Sequence, residues 1–479
     1  MEDHRTPPNR PVNPRRRKRS KMQNFTEAYL PVIIAALVLV LIIVFIISAV
    51  AGPDDVTQPT ATPTEPTPSA TSEPTDPLIQ YQEEVENRLT EAAVFAADYD
   101  YENALKVLKA FSGELSKFPV LTEKIAEYES ALQSMVAWDD PAKVVNLSFQ
   151  LLMADPARSF ANADYSYAFN RNFITTEEFG KILQQLYENG YILVDMDDII
   201  AEEAKEDGTK TYKAKTLYLP QGKKPLMLTQ TNVNYSYYLI DSDGDKLPDA
   251  GGSGFASKLI WDGEKFTSEM VDATGNTVQG NYDMVPILEA FIAENPDFSY
   301  RGAKATLALT GYNGLFGYRT HFTAINIFGE EAYQKAVSDV TALVKALRDH
   351  GYTIACYTYE NLAYGESGYY QVQTDLMGWT TEVTPILGEV DILVYAQNSD
   401  ISTEQLYSGD KFNMLQNAGF RYYLGFCTDG QSWATVTDSY VRIGRLMVTG
   451  SNLAHHADWF ENLFDPTTVL DPSRGNIPR

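Results

Sequence analysis

The sequence predicts an α/β protein whose bulk, residues 139–479, folds as a distorted (β/α) barrel around a parallel sheet. Three observations carry that expectation. Short apolar runs alternate with amphipathic stretches from Val144 to Val448, the pattern of strands that cross over through helices to parallel neighbours. Two of the amphipathic stretches have clear helical punctuation: Thr176–Glu188 is closed by Gly190, and 330–350 is closed by Gly351. Finally, residues 79–137 lack strand-like runs altogether, so the change near Val144 marks a domain boundary.

In chain order, residues 1–28 form a basic tail, with eight Lys/Arg against three Asp/Glu and the cluster RRRKRSK at 15–21. Next comes LPVIIAALVLVLIIVFIISAVA, Leu30 to Ala51, which contains no charge. As a helix it would span roughly 33 Å at ~1.5 Å per residue, enough for a bilayer core. A single transmembrane helix over 29–52 is expected, with the basic N-terminus cytoplasmic and the rest extracellular. The alternative is a signal peptide cleaved after Ala49-Val50-Ala51, but a signal h-region has only about 7–15 apolar residues.

From Pro53 to Pro77 the chain holds seven prolines and seven threonines and almost no large apolar residue. This linker is stiff and extended, with a reach of roughly 75 Å at ~3.1 Å per residue. In a Gram-positive envelope that reach places the following domain within the cell wall. Residues 78–138 are expected to form a helical stalk. Leu89, Ala92, Ala93 and Ala96 mark one apolar stripe, and Ala104, Leu105, Val107, Leu108 and Phe111 the next.

In the barrel domain the strand candidates are VVNLSFQLLM, YILVDM, PLMLTQ, ATLALT, TIACYTY, ILVYAQ, YYLGF and VRIGRLMV. The helix over 330–350 sets Ala336, Val337, Val340, Leu343, Val344 and Leu347 on one face. The two cysteines, Cys356 and Cys427, are expected as buried free thiols, a single disulfide being the alternative. Net charge is −26, and with +5 in residues 1–28 the remainder carries −31. A domain that acidic does not track a phosphate backbone, which excludes nucleic acid as a partner. No feature of the chain speaks to oligomeric state.

One strand poses the functional question. KKPLMLTQ leads into Thr231, Asn232 and Asn234. In such barrels chemistry sits where strands end, yet this strand delivers no acid, base or strong metal ligand.

Six segments together give the answer. FITTEEFGKILQQLYENGYILVDMDDI (173–199), KPLMLT (224–229), YRGAKATLALTGYNG (300–314), YTIACYTYENLAYG (352–365), VDILVYAQNSDI (390–401) and GFRYYLGF (419–426) follow one another in an order that resembles the polysaccharide deacetylase family (carbohydrate esterase family four). The resemblance covers about 140–479 and implies that family's barrel. It also implies removal of acetyl groups from an N-acetylated wall glycan. A divalent metal polarises the amide and acidifies a bound water, and a carboxylate takes that water's proton.

Laid on this chain, the family's T-F-D-D falls on Thr229, Gln230, Thr231 and Asn232. The base position is therefore Thr231, and a metal-ligand position is Asn232. The two histidines of H-x-x-x-H fall on Tyr357 and Asn361, and the third motif reads Tyr395, Ala396, Gln397, Asn398. The resemblance thus implies a fold whose four chemical positions are all replaced, with no catalytic metal. The expected cleft wall is Tyr235, Tyr359, Tyr395, Gln397 and Asn398. Tyr237, Tyr238, Tyr364, Tyr369 and Tyr370 cluster nearby in the sequence, suited to barrel packing or to stacking on sugar rings.

A second signal lies at DSDGDKLPD. Asp241, Asp243, Asp245 and Asp249, with Gly244 at the turn, follow the alternating oxygen pattern that calcium prefers. The run resembles one thrombospondin type-three repeat, and a solvated acidic loop is the other reading.

Three functional readings follow. The first is a membrane-anchored deacetylase-like protein without catalysis that binds cell-wall glycan or a wall-associated partner. The second is a working deacetylase with a rebuilt metal site. The third is a structural wall-spanning protein with a calcium-stabilised loop.

Overall fold

The structure, a computed structural model, describes residues 81–206 and 208–479. The basic tail, the apolar run and the Pro/Thr linker lie outside the described residues. Within these residues no helix is long and apolar enough to cross a membrane.

All eight strand candidates form strands: β1 Val145–Phe149, β2 Tyr191–Leu193, β3 Lys224–Thr231, β4 Ala305–Leu309, β5 Thr353–Cys356, β6 Ile392–Val394, β7 Tyr422–Phe426 and β8 Val441–Met447. Seven close a parallel barrel in the order β4-β5-β6-β7-β8-β1-β3 and back to β4. The eighth, β2, pairs with Lys224–Leu226, the first half of β3, while β4 pairs with Leu228–Thr231. Strand β2 thus occupies the edge of β3 that β4 reaches only later. The barrel accordingly closes on seven strands.

Alternation along each strand sorts the side chains into two layers. Met227, Ala308, Ala355, Val394, Leu424 and Ile443 point inward and form one apolar cluster. Their sequence neighbours Leu226, Leu228, Leu307, Cys356, Leu393 and Tyr423 point outward. They pack there with residues of α4 (Thr176–Glu188), α5 (Met284–Glu294) and α6 (Glu330–Asp349). Helix α4 begins with a reciprocal cap: Thr175 Oγ1 accepts from the Glu178 amide and Glu178 accepts from the Thr175 amide. Both cysteines are buried and free.

Residues 82–133 form three helices, α1 Gln82–Ala97, α2 Tyr101–Lys109 and α3 Pro119–Gln133. They have their own small core of Ala92, Ala104, Leu105, Leu108 and Leu121. The α1–α2 turn docks at the N-terminal end of the barrel. Tyr99 donates to Asp297 at 3.3 Å, and Arg301 reaches Asp100 at 3.4 Å. These helices share one compact unit with the barrel. A strand pair, Val136–Trp138 with Leu217–Leu219, follows the third helix.

Candidate functional site

The C-terminal end of the barrel collects every position at which the family resemblance expects chemistry. Thr231 ends β3, faces inward and is fully buried, and its hydroxyl donates to the Phe149 carbonyl at 3.1 Å. Asn232 follows with a left-handed φ of 58°. Its Oδ1 accepts from Thr310 Oγ1 at 2.9 Å, and that hydroxyl accepts from Asn234 Nδ2 at 2.7 Å. Beyond β5, Tyr357 is buried among the inward-facing side chains. Its hydroxyl accepts from the Gln397 amide at 3.3 Å, while Gln397 Nε2 donates to the Asn361 carbonyl at 2.7 Å. The four positions are therefore brought to one mouth, and they are neutral.

Backbone strain concentrates here. Among the described residues ten non-glycine positions have positive φ, and six are Asn232, Tyr235, Thr358, Asn361, Gln397 and Asn398. A β-branched residue such as Thr358, at φ 62°, pays a real steric cost in that region. Such strain persists where surrounding structure over-determines it, commonly at functional sites. Two buried carboxylates, neither evident in the sequence reading, hold the strained loops.

The first is Asp375 in α7 (Tyr369–Gly378), which accepts from the amides of Tyr359 and Glu360 and from the Tyr364 hydroxyl at 2.7–2.8 Å. Burial raises its pKa. The second, Asp283, precedes α5. It accepts from Gln230 Nε2 at 2.7 Å, the Tyr235 hydroxyl at 2.5 Å and the Leu152 amide at 3.0 Å. Burial pushes its pKa up to about 6 against these stabilising bonds. An Asp directly ahead of MVPILEAF is a helix-start signal that could have flagged it.

Three of the expected cleft-wall residues are corrected by this geometry. Tyr235, Tyr359 and Tyr395 belong to the outer apolar layer and do not line the cleft. Tyr395 follows inward-facing Val394, so alternation turns it outward. Tyr235 is turned away by its left-handed backbone and bonds to Asp283. Tyr359 donates to Glu382 at 2.8 Å. Gln397 contacts Tyr357 and Asn361 instead.

An open pocket of about 340 Å³ lies beside the four positions. Gln150, Asn398, Phe426, Met447, Asn452 and Trp459 are among its lining residues, whereas Thr231, Asn232, Tyr357 and Asn361 are not.

The divalent metal of the resembled family does not fit this donor set. Thr231 and Asn232 are engaged with Phe149 and Thr310, the Tyr357 hydroxyl with Gln397. Asn361 Oδ1 is buried with no partner among the described residues. Two neutral amides, Asn232 and Asn361, and the Tyr357 hydroxyl replace the carboxylate and two imidazoles that such a cation requires. Among the described residues no histidine repairs this. His321 is buried against the Tyr237 and Thr323 hydroxyls, and burial, then nearby Arg319, lowers its pKa to about 4. His350 bonds to the Ala346 carbonyl, His455 to that of Ile477, and His456 stacks on Trp459.

The acidic run sits in the excursion between β3 and α5. Potential ligand oxygens of Asp241, Asp243 and Asp249 lie within 4.8 Å of one another. Asp241 accepts from the amides of Asp243, Gly244 and Lys246, and Asp249 from Ser242 and Gly251. Asp245 falls outside that trio and accepts from the Leu247 amide.

No family model matches the chain, and no curated protein matches it. Among solved structures, the Streptococcus pyogenes deacetylase PplD in complex with acetate is similar at 11% identity over 65% of this chain and 94% of that one, with a TM-score of 0.32.

Proposed function

We propose that this chain is a membrane-anchored, extracytoplasmic protein of the polysaccharide deacetylase type that has lost deacetylation and binds cell-wall glycan at its barrel mouth. One observation carries the reading. The positions that align with the family's base and metal ligands are Thr231, Asn232, Tyr357 and Asn361, gathered at one barrel end with three of the four side chains held in neutral hydrogen bonds. Losing a general base alone costs roughly 10²–10⁴ in rate. Without metal ligands the Lewis acid that polarises the acetamide has no seat either.

Binding outlives such a loss because it asks less of the site. A pocket walled by Trp459 and Phe426 and lined by Gln150, Asn398 and Asn452 offers a flat apolar face with convergent amides, as sugar rings require. The membrane placement rests on the apolar run at 30–51 and its basic flank.

The experiment is acetate release by the full chain from chitin oligomers and peptidoglycan, paired with a pull-down on the same glycans. Binding without acetate release supports the proposal. Metal-dependent acetate release would replace it with the working-enzyme reading, and absence of any glycan binding would favour a purely structural role.

A further inference from the structure

Among the described residues three arginines are almost wholly buried: Arg442, Arg445 and Arg474. Two are matched by a carboxylate, Arg442 with Asp400 at 2.9 Å and Arg474 with Glu178 at 2.5 Å. Arg445 has no such partner among the described residues. It projects into the barrel from β8, where Nε donates to the Gly425 carbonyl, Nη1 to Ser148 Oγ and Nη2 to the Tyr395 carbonyl, at 2.9–3.0 Å. All three acceptors are neutral. Burial lowers its pKa to about 10, so it stays charged at neutral pH. A buried charge without a counter-charge is costly, and a fold that keeps one invites the question of what balances it.

The open pocket lies next to this cation. Arg445 Nη1 is 3.6 Å from the sulfur of Met447, and the Arg445 carbonyl accepts from the Cys427 amide at 2.8 Å. Met447 and Cys427 both line the pocket. The lining includes no Asp or Glu and one arginine, Arg171, whose Nε donates to the Arg479 backbone oxygen at 2.8 Å while Nη2 has no hydrogen bond among the described residues, in a chain with 64 acidic and 38 basic residues. The nearby Asp429 turns its carboxylate to the Gln431 amide at 3.1 Å. Asn398 lines it as well, with Gln150 and Asn452, whose amide nitrogens each spend one hydrogen on a carbonyl, of Asn172 and Met447 respectively, and keep a second. Trp459, backed by His456 at a ring separation of 4.2 Å, supplies a rigid flat wall.

We propose that this pocket binds a negatively charged sugar residue, its carboxylate or phosphate directed toward Arg171 and the side underlain by Arg445. The inference rests on the glycan-binding reading and narrows it to acidic sugars. In a low-dielectric wall the field of an unpaired guanidinium reaches an adjacent ligand with little screening. Neutral sugars gain nothing from it.

Isothermal titration of the full chain tests this with two matched pairs: trigalacturonate against its methyl ester, and glucose 6-phosphate against glucose. In one pair the charged member should bind at least about tenfold more tightly, as a charge-assisted contact warrants. Which pair responds identifies the anion as carboxylate or phosphate. The preference should shrink with added salt and fall toward parity in Arg171→Gln. Arg445→Met should also reduce it; because that change alters the barrel interior, folding is checked by circular dichroism and Arg171→Gln decides the matter. Equal binding of charged and neutral members would overturn the charge inference while leaving glycan binding intact. No binding of either pair, together with no glycan retained in the pull-down, would remove both.

Discussion

Gln230 and Asp283 meet at 2.7 Å outside the barrel wall, both fully buried, and tie the end of β3 to the start of α5. Asp283 has its pKa raised by burial from 3.8 to about 6, so its charged form is the less favourable one in the folded chain. The sign follows from linkage. The contribution is fully favourable below pH 4 and is lost as pH rises through 6, a change on the order of 3 kcal/mol. Asp283→Asn should abolish this part of the pH dependence and leave stability at pH 7 equal to or above that of the natural chain. Asp283→Ala should cost about 2–4 kcal/mol, because it strands several buried donors. Thermal melts between pH 4 and 7.5 on all three proteins check this.

The Glu178–Arg474 pair makes two contacts of 2.5 and 2.6 Å with both side chains buried. Arg474→Met leaves Glu178 uncompensated and should lower stability by about 3–5 kcal/mol. Pairing it with Glu178→Gln should recover part of the loss. A double-mutant cycle in urea measures the coupling.

Calcium titration distinguishes the two readings of the 241–249 loop. A cation held by Asp241, Asp243 and Asp249 must raise the melting temperature in millimolar calcium by mass action. Asp243→Asn, which keeps an acceptor for the Asp245 amide, should abolish the rise. An unchanged melting temperature in the natural chain would identify a loop held by its own side-chain-to-backbone bonds.

Much of the barrel was legible because strand alternation and helix punctuation are local signals. All eight apolar runs became strands. Their closure on seven was not legible, since it depends on β2 and β4 sharing one edge of β3. Thr231, Asn232, Tyr357 and Asn361 converge on one mouth because strand ends in a parallel barrel share an end. The tyrosine wall failed at Tyr395 because counting one residue past Val394 reverses the face. Asp375 escaped notice because it sits mid-helix beside polar Gln371, Gln373 and Thr374, where only packing reveals burial. Arg445 carried a usable signal: the apolar run VRIGRLMV holds two arginines, Arg442 and Arg445, which an odd spacing puts on opposite faces of the strand.

The central claim is that the barrel mouth retains the deacetylase framework without its chemistry. Zinc titration of the full chain against the quadruple variant Thr231→Asp, Asn232→Asp, Tyr357→His, Asn361→His tests it most directly. The natural chain should take up no zinc at the mouth, and the variant should bind one ion per chain, while single substitutions should not suffice because a metal needs its ligands together. Stoichiometric zinc at the mouth of the natural chain, lost on changing residues other than these four, would contradict the account.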